Sequence, residues 1–423
     1  MSRDAELVVI GAGIAGRFAA LAAAEAGISV RLLSDSEDGA RFDTGLLELL
    51  GRTNSTAVVD PFDAFGHLDD RHPYRIAGLE SVRNALRFAE RVLGDRYRGF
   101  GEDRNALVIS QQGALVPVFA YPRSVASGLA SDSGTVHLVD LSFLPDVDAR
   151  VAAASIRRYD PHFEVTTNRI GNDPPKAVPS DRLGLAARLD EEIDDSPSGR
   201  EVLPWLVDRI GAEDPRGDRI GLPAFLGRER TDAVLAHLES RLGIPVFEIP
   251  TAPPSLTGIR LDDRLDQAIR ESSVEATTAT PVVDYRTAGD RIEAVGVERA
   301  HTREWIAGER FVLATGGLLG GGITEREGEI VESVFDCPVE PPAERGEWTA
   351  ADPYDTQPFA TFGVDVDDEF RPRAGGEPCF TNLWATGRVI GGFDPIAQRA
   401  GFGTSLVTGH AVGRRIGTGG RHV

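Results

Sequence analysis

Residues Glu6 to Gly27 read ELVVIGAGIAGRFAALAAAEAG, an apolar run, three glycines in GxGxxG spacing and an alanine-rich segment. The run predicts a buried strand, the glycines a tight turn, and the remainder a helix. Gly11 permits the sharp turn, Gly13 lets backbone come close to a phosphate, and Gly16 lets helix and strand pack tightly. A phosphate placed there meets free backbone N–H groups and the positive end of the helix dipole. A second strand, Ile28 to Leu33, should then end in an Asp or Glu that holds an adenosine ribose. That position is Ser34, eighteen residues past Gly16, with Asp35 one residue further on.

The chain has 423 residues, of which 41% are apolar, enough for two domains or for one large domain with an insertion. No apolar run approaches the roughly 20 residues that span a bilayer. The first strand begins so near the N-terminus that no room is left for a signal peptide. Cys337 and Cys379 are far apart in sequence and form no CxxC pattern. They suggest neither an iron–sulfur ligand set nor a secreted disulfide scaffold. A cytoplasmic chain is expected, with any metal centre belonging to a partner. Net charge is −21, and Lys176 is the single lysine. Such acidity fits either a cationic partner or a solvated surface kept soluble at high salt, and the second reading implies a halophilic host. No basic patch with interleaved aromatics is present, so nucleic acid is not an expected partner.

FDTGLLELL at Phe42 to Leu50 reads as a turn leading into a short helix. Leu79 to Leu93 reads as an amphipathic helix, Val136 to Leu141 as a strand, and Asp146 to Arg158 as a helix. Gly171 to Arg200 is rich in Asp, Glu, Pro and Ser, the composition of a mobile surface insertion. Ile220 to Phe225, Thr231 to Leu242 and Pro245 to Ile249 form a strand–helix–strand unit. Past Pro250 come a helix (Leu256 to Glu271), a short strand, a three-stranded meander, and RFVLATGG at Arg310 to Gly317. NLWATGR at Asn382 to Arg388 is a further strand running into glycine, followed by a last helix, Ser405 to Ile416. The expected fold is α/β, a discontinuous Rossmann-like flavin-binding domain with an inserted α/β cap domain. Residues 1–50, 250–335 and 378–423 would form the flavin-binding domain, and 51–249 with 336–377 the cap. Three glycine-rich strand ends, Gly11 to Gly16, Gly316 to Gly322 and Gly387 to Gly403, would face one crevice at the carboxyl edge of the sheet. The cofactor-binding candidates are Gly11, Gly13, Gly16, Thr44, Gly45, Thr315, Gly316, Gly387, Gly392 and Gly403.

Four further stretches carry a resemblance: PTAPPSLTGIRL (Pro250 to Leu261), RGEW (Arg345 to Trp348), FGVDVDDEFRP (Phe362 to Pro372) and GGFDPIAQ (Gly391 to Gln398). With GAGIAG and FDTGLLELL, they resemble the B subunit of the anaerobic glycerol-3-phosphate dehydrogenase, in a haloarchaeal-type form. The resemblance spans most of the chain and is weakest from about 51 to 230. It implies a flavoprotein, assigned FMN, paired with an FAD-containing A subunit. An iron–sulfur C subunit would tie that pair to the membrane and its quinone. The complex would oxidise sn-glycerol 3-phosphate to dihydroxyacetone phosphate during glycerol degradation in anaerobic respiration. FMN lacks the adenosine ribose, so Ser34 suits FMN; FAD is the alternative if Asp35 takes the missing role.

A flavin accepts hydride from a carbinol carbon while a base removes the hydroxyl proton, and Arg grips a phosphate with two N–H groups. Arg260, Arg345, Arg371 and Arg388 are candidates, each of which could equally be a structural ion pair. Arg260 and Arg388 stand out because both lie beside proposed cofactor turns. His410 reads either as a proton acceptor or as a core histidine, and Asp394 as a turn cap rather than a base. No metal-ligand spacing is present. The chain is therefore expected to perform the hydride step or to relay electrons from the FAD-containing partner. A fumarate-reductase-like flavoprotein acting on another small acid is the alternative outside this family.

Overall fold

The computed structural model describes residues 5–36, 41–54, 56–130, 134–171, 178–194, 201–212, 217–299, 302–353 and 355–419. By contact density the chain divides into two compact units, one of residues 1–40, 48–94 and 264–423, the other of residues 41–47 and 95–263. These boundaries differ from those drawn on the sequence. Residues 51–94 and 336–377 fall in the first unit rather than in a cap, and 250–263 fall in the second. The physical reason is visible for 51–94, where the helix Leu79–Leu93 turns Val82, Leu86 and Phe88 inward and Phe88 stacks edge-on against Phe18.

The first unit is built on β1 (Ala5–Ile10), α1 (Ile14–Glu25), β2 (Val30–Leu33), α2 (Leu79–Leu93), β3 (Glu275–Thr277), β4 (Val282–Ala288), β5 (Arg291–Arg299), β6 (Thr302–Leu313), β7 (Leu383–Ala385) and α3 (Gly401–Gly417). The strands pair in the order β3-β2-β1-β6-β7, all parallel. Leu7 to Ile10 are all buried, as expected for a central parallel strand covered on both faces. Strand β6 serves two sheets. Its first half pairs antiparallel with β5, Thr302 opposite Arg299 and Ala307 opposite Ala294. Its second half pairs parallel with β1, Phe311 opposite Val8. Gly308 sits at the changeover, where a Cβ would lie 2.7 Å from Val8.

Helices α1 and α3 pack closely along a stripe of glycines. A Cβ on Gly409 would lie 2.3 Å from the Ala15 carbonyl oxygen, and one on Gly413 2.3 Å from that of Ala19. Larger residues would hold the two backbones apart, so the spacing of four glycine by glycine sets the helix contact.

The second unit contains a four-stranded parallel sheet in the order Val165–Ile170, Val136–Leu141, Arg219–Pro223, Val246–Ile249. Alternation along Val136–Leu141 sends Val136 and Leu138 to one core, with Ala152 and Ile156, and Val139 and Leu141 to another, with Leu203 and Leu206. The expected strand–helix–strand is present as Arg219–Pro223, Thr231–Leu242 and Val246–Ile249.

Two local expectations fail. Residues 42–50 form turns and a single bridge, Leu47 to Ala120, rather than a helix. Residues 171–200, expected as a mobile surface insertion, bury part of their length where they are described. Arg182–Asp194 is a helix with Leu185, Ala186 and Leu189 buried, and the fully buried Glu192 carboxylate accepts from the N–H groups of Glu201, Val202 and Leu203. Composition misled because this acid caps a helix rather than facing water. Residues 172–177 and 195–200 of that stretch lie outside the described residues.

Candidate functional site

The three glycine-rich strand ends of the first unit meet. Gly11, at φ +107°, follows β1, and a Cβ there would lie 2.3 Å from the carbonyl oxygen of Ala314, just past β6. Gly16 would put its Cβ 1.8 Å from the Gly11 carbonyl oxygen, so only glycine lets α1 start where it does. Gly387, at φ +76°, follows β7, and its Cβ would touch Ala15 at 2.7 Å; that of Gly317 would lie 2.7 Å from the Arg388 carbonyl oxygen. Gly11, Gly16 and Gly317 are each closed off by the backbone of a neighbouring segment, and Gly387 by the Ala15 side chain.

This arrangement fits a phosphate-bearing flavin on three counts. Nothing lies within 4 Å of a Cβ built on Gly13, so that residue faces open space. Gly13 caps α1 without a side-chain hydrogen bond, and the first turn holds no acid, which leaves the positive helix end to an anion. The Thr315 hydroxyl, one residue before Gly316, is buried with no hydrogen-bond partner among the described residues. Thr315 and Gly11, Gly13, Gly16, Gly316 and Gly387 would hold the flavin, which supplies the hydride-accepting ring when bound. At the ribose position Ser34 is buried. Its N–H donates to Thr277, its carbonyl accepts from Thr280, and its hydroxyl donates to the Ser36 carbonyl at 2.7 Å. Asp35 beside it is exposed.

Past β7 lies a polar cluster that sequence reasoning missed. Glu48 pairs with Arg399 at 2.8 Å, and its carbonyl accepts from the Gly403 N–H at 3.0 Å. Burial raises the Glu48 carboxyl above the ordinary range, while Arg399 and then Arg388 pull it back. His72 is buried, its Nδ1 accepting from the Tyr74 N–H and its Nε2 facing Gln398 Oε1 at 3.2 Å. Desolvation lowers His72 to about 4, so it is neutral at neutral pH. Glu48 and Gln398 stand inside the quoted FDTGLLELL and GGFDPIAQ motifs. His72 had no local signal, since its role depends on a partner 326 residues away.

The candidate residues separate accordingly. Arg388 is exposed at the meeting of the three glycine segments, its guanidinium beside Gly401 at the start of α3, with no ion pair to a described residue. Gly392, at φ +83°, and Gly403 belong to the same region, Gly403 packing tightly on Tyr74 and Leu49. Arg260 lies in the second unit and is committed elsewhere: it holds the fully buried Glu248 through both nitrogens and the Gly227 carbonyl through Nε at 2.9 Å. Thr44 and Gly45 are also in the second unit. Thr257 donates to the Thr44 carbonyl at 2.6 Å, and Tyr97 to that of Gly45 at 2.7 Å. His410 lies nine residues along α3 from Gly401, roughly 13 Å at 1.5 Å per residue. It packs on Phe88 with ring centres 5.0 Å apart. Desolvation, then Arg414 and Arg91, lowers it to about 4. Asp394 caps its own turn, accepting from Ile396 and Ala397. Arg371 pairs with Asp367 at 2.8 Å, and Arg345 lies over the Trp348 ring. No group of His, Cys, Asp and Glu among the described residues could hold a metal ion.

Comparison with known proteins agrees with this geometry. The FAD binding domain family matches residues 6–404. A Halobacterium salinarum protein, named as the probable B subunit of an anaerobic glycerol-3-phosphate dehydrogenase, is 38% identical over 418 residues, covering 98% of each chain. The chain belongs to this B-subunit family and to the FAD binding domain family. The corresponding B subunit of the Vibrio cholerae enzyme is 27% identical over 98% of this chain and 97% of its own. Among solved structures, a 3-ketosteroid delta1-dehydrogenase from Sterolibacterium denitrificans is similar with a TM-score of 0.47 and 11% identity, covering 99% of this chain and 100% of that one. The family match establishes the α/β flavin-binding fold expected from the glycine pattern, and the chain is a flavoprotein of oxidoreductase type. Among the described residues no helix is long and apolar enough to cross a membrane.

Proposed function

We propose that this chain is the flavin-bearing B subunit of a complex that oxidises glycerol 3-phosphate to dihydroxyacetone phosphate. Its partners would be an FAD-containing A subunit and an iron–sulfur C subunit that passes electrons to quinone and holds the complex to the cytoplasmic face of the membrane. The observation that carries this reading is the convergence of three glycine turns on the uncapped start of α1 beside the unpartnered Thr315 hydroxyl. The family matched is named for FAD, which weights the flavin toward FAD, against the FMN expected from Ser34.

Within the complex, an electron relay has a specific observation in its favour. Of the three residues expected to act on substrate, Arg388 alone lies at the glycine turns; Arg260 is tied to Glu248, and His410 is packed against Phe88. His72, which faces Gln398, already accepts from Tyr74. The catalytic reading would rest on Arg388 as phosphate ligand. Purified, flavin-loaded chain mixed anaerobically with glycerol 3-phosphate separates the two. The relay predicts a flavin that stays oxidised alone and bleaches once the FAD-containing partner is added, whereas rapid bleaching of the isolated chain establishes the hydride step here. Chromatography of the flavin released by denaturation identifies it as FAD or FMN.

A further inference from the structure

The two cysteines of the chain, 42 positions apart in sequence, lie on segments that pack together in the first unit. The contact of Phe335 with Phe380 brings the segments that carry Cys337 and Cys379 together, and both cysteines are free thiols. Cys337 is buried and Cys379 is half-exposed. Their segments are firmly held. The fully buried Glu332 carboxylate accepts from the N–H groups of Val334 and Phe335 at 2.8 Å and of Cys337 at 3.5 Å. Phe335 and Phe380, each next to a cysteine segment, meet edge-on at 6.1 Å, with Tyr285 packed on both. The Cys379 N–H donates to the Pro372 carbonyl. Two thiols presented in this way have little freedom to lose on bonding.

We propose that Cys337 and Cys379 form a reversible redox pair, closed by thiol–disulfide exchange with a small disulfide. The Cys379 thiolate attacks one sulfur of the small disulfide and expels one small thiol, leaving a mixed disulfide. The Cys337 thiol, on losing its proton, attacks the Cys379 sulfur and expels the second. Two protein thiols are oxidised, the small disulfide is reduced to two thiols, and the protons pass to the thiol products or to solvent. The asymmetry suits these roles: the hydrogen bond from Cys337 lowers Cys379, whereas that bond and burial raise Cys337.

The bond would close the chain from Cys337 to Cys379 into a ring. That ring is bonded to the third glycine turn, because Val364 bridges Val339, donates to the Val389 carbonyl at 2.9 Å, and accepts from the Gly391 N–H at 3.0 Å. Oxidation would therefore stiffen the segment bordering Arg388 and Gly392.

The test is incubation of the whole reduced chain with glutathione disulfide in the absence of oxygen, followed by thiol counting and intact mass. The expected result is loss of both thiols with the mass of two hydrogens, no retained adduct, and a rise in Tm of roughly 5–10 °C that a reductant reverses. The Cys337→Ser variant should retain one glutathionyl group on Cys379, and Cys379→Ser should keep its buried thiol unmodified. Persistent adducts on the unaltered chain, or two thiols that react only after denaturation, would overturn the pair.

Discussion

Gly13 and Gly16 occupy one motif but answer to different constraints. Gly16 is glycine because backbone fills the place of its side chain, the Gly11 carbonyl oxygen lying 1.8 Å from a built Cβ. Gly13 has open space in that direction, so its smallness matters only when a phosphate is present. Gly16→Ala should therefore lower stability by about 1–3 kcal/mol, the usual cost of overpacking, with or without flavin. Gly13→Ala should leave the flavin-free chain within about 0.5 kcal/mol of the parent while weakening flavin binding tenfold or more. Denaturant unfolding of flavin-free protein, set beside a flavin titration, measures both. A Gly13→Ala chain that binds flavin as the parent does would show that no phosphate approaches there. Arg260 teaches the converse lesson about single residues: its position beside a proline-rich turn suggested substrate, but a buried carboxylate twelve residues earlier already owns its charge.

At the scale of elements, the α2–α3 contact contains a pH-sensitive point. His410 on α3 is 6% exposed against Phe88 of α2, its Nδ1 without a partner among the described residues, and the Arg414 and Arg91 charges also disfavour its protonated form. Its folded value of about 4 is below the ordinary 6.5. The stability this provides is present above pH 6.5 and is lost as pH falls toward 4, at most about 3 kcal/mol. His72 acts in the same sense. Glu48 and Glu332, raised by burial, act oppositely, their contribution lost as pH rises through their folded values. The informative quantity is thus a difference between variants. His410→Leu should narrow the stability gap between pH 7 and pH 4.5 relative to the parent, as read by urea unfolding at each pH. An unchanged gap would mean that this histidine does not need to charge when the chain unfolds in acid.

For the whole molecule the dominant quantity is charge. With 66 acidic residues against 45 basic ones, self-repulsion opposes compaction, and salt relieves it as the screening length falls from about 10 Å at 0.1 M to about 3 Å at 1 M. Many acids are nonetheless paired locally with Arg, as in Arg228–Asp263 and Arg373–Asp365, and such exposed pairs contribute little each. Tm should rise steadily between 0.1 and 2 M KCl, with most of the gain below 1 M. A Tm that is flat or falls over this range would remove the high-salt reading of the composition.

Much of this protein is legible in the chain itself, because its strongest signals are local. An unbroken LVVI strand, glycines at 11, 13 and 16, and an alanine-rich helix leave one geometry open to residues 5–25, and the structure adopts it. The same holds for the helix Leu256–Glu271 and for the meander strands Val282–Ala288 and Arg291–Arg299. The remainder depended on contacts remote in sequence. Leu47 pairs with Ala120 instead of entering a helix, and Glu192 turns an acidic stretch into buried structure by capping the helix after it. Only tertiary structure decided which arginine has no ion pair among the described residues beside the glycines, joined His72 to Gln398, and brought the Cys337 and Cys379 segments together. Backbone propensity and hydrophobic period act over a few residues and can be read there. Pairing of charges, hydrogen-bond partners and thiols is settled by which distant segments share a space, and no local pattern records it.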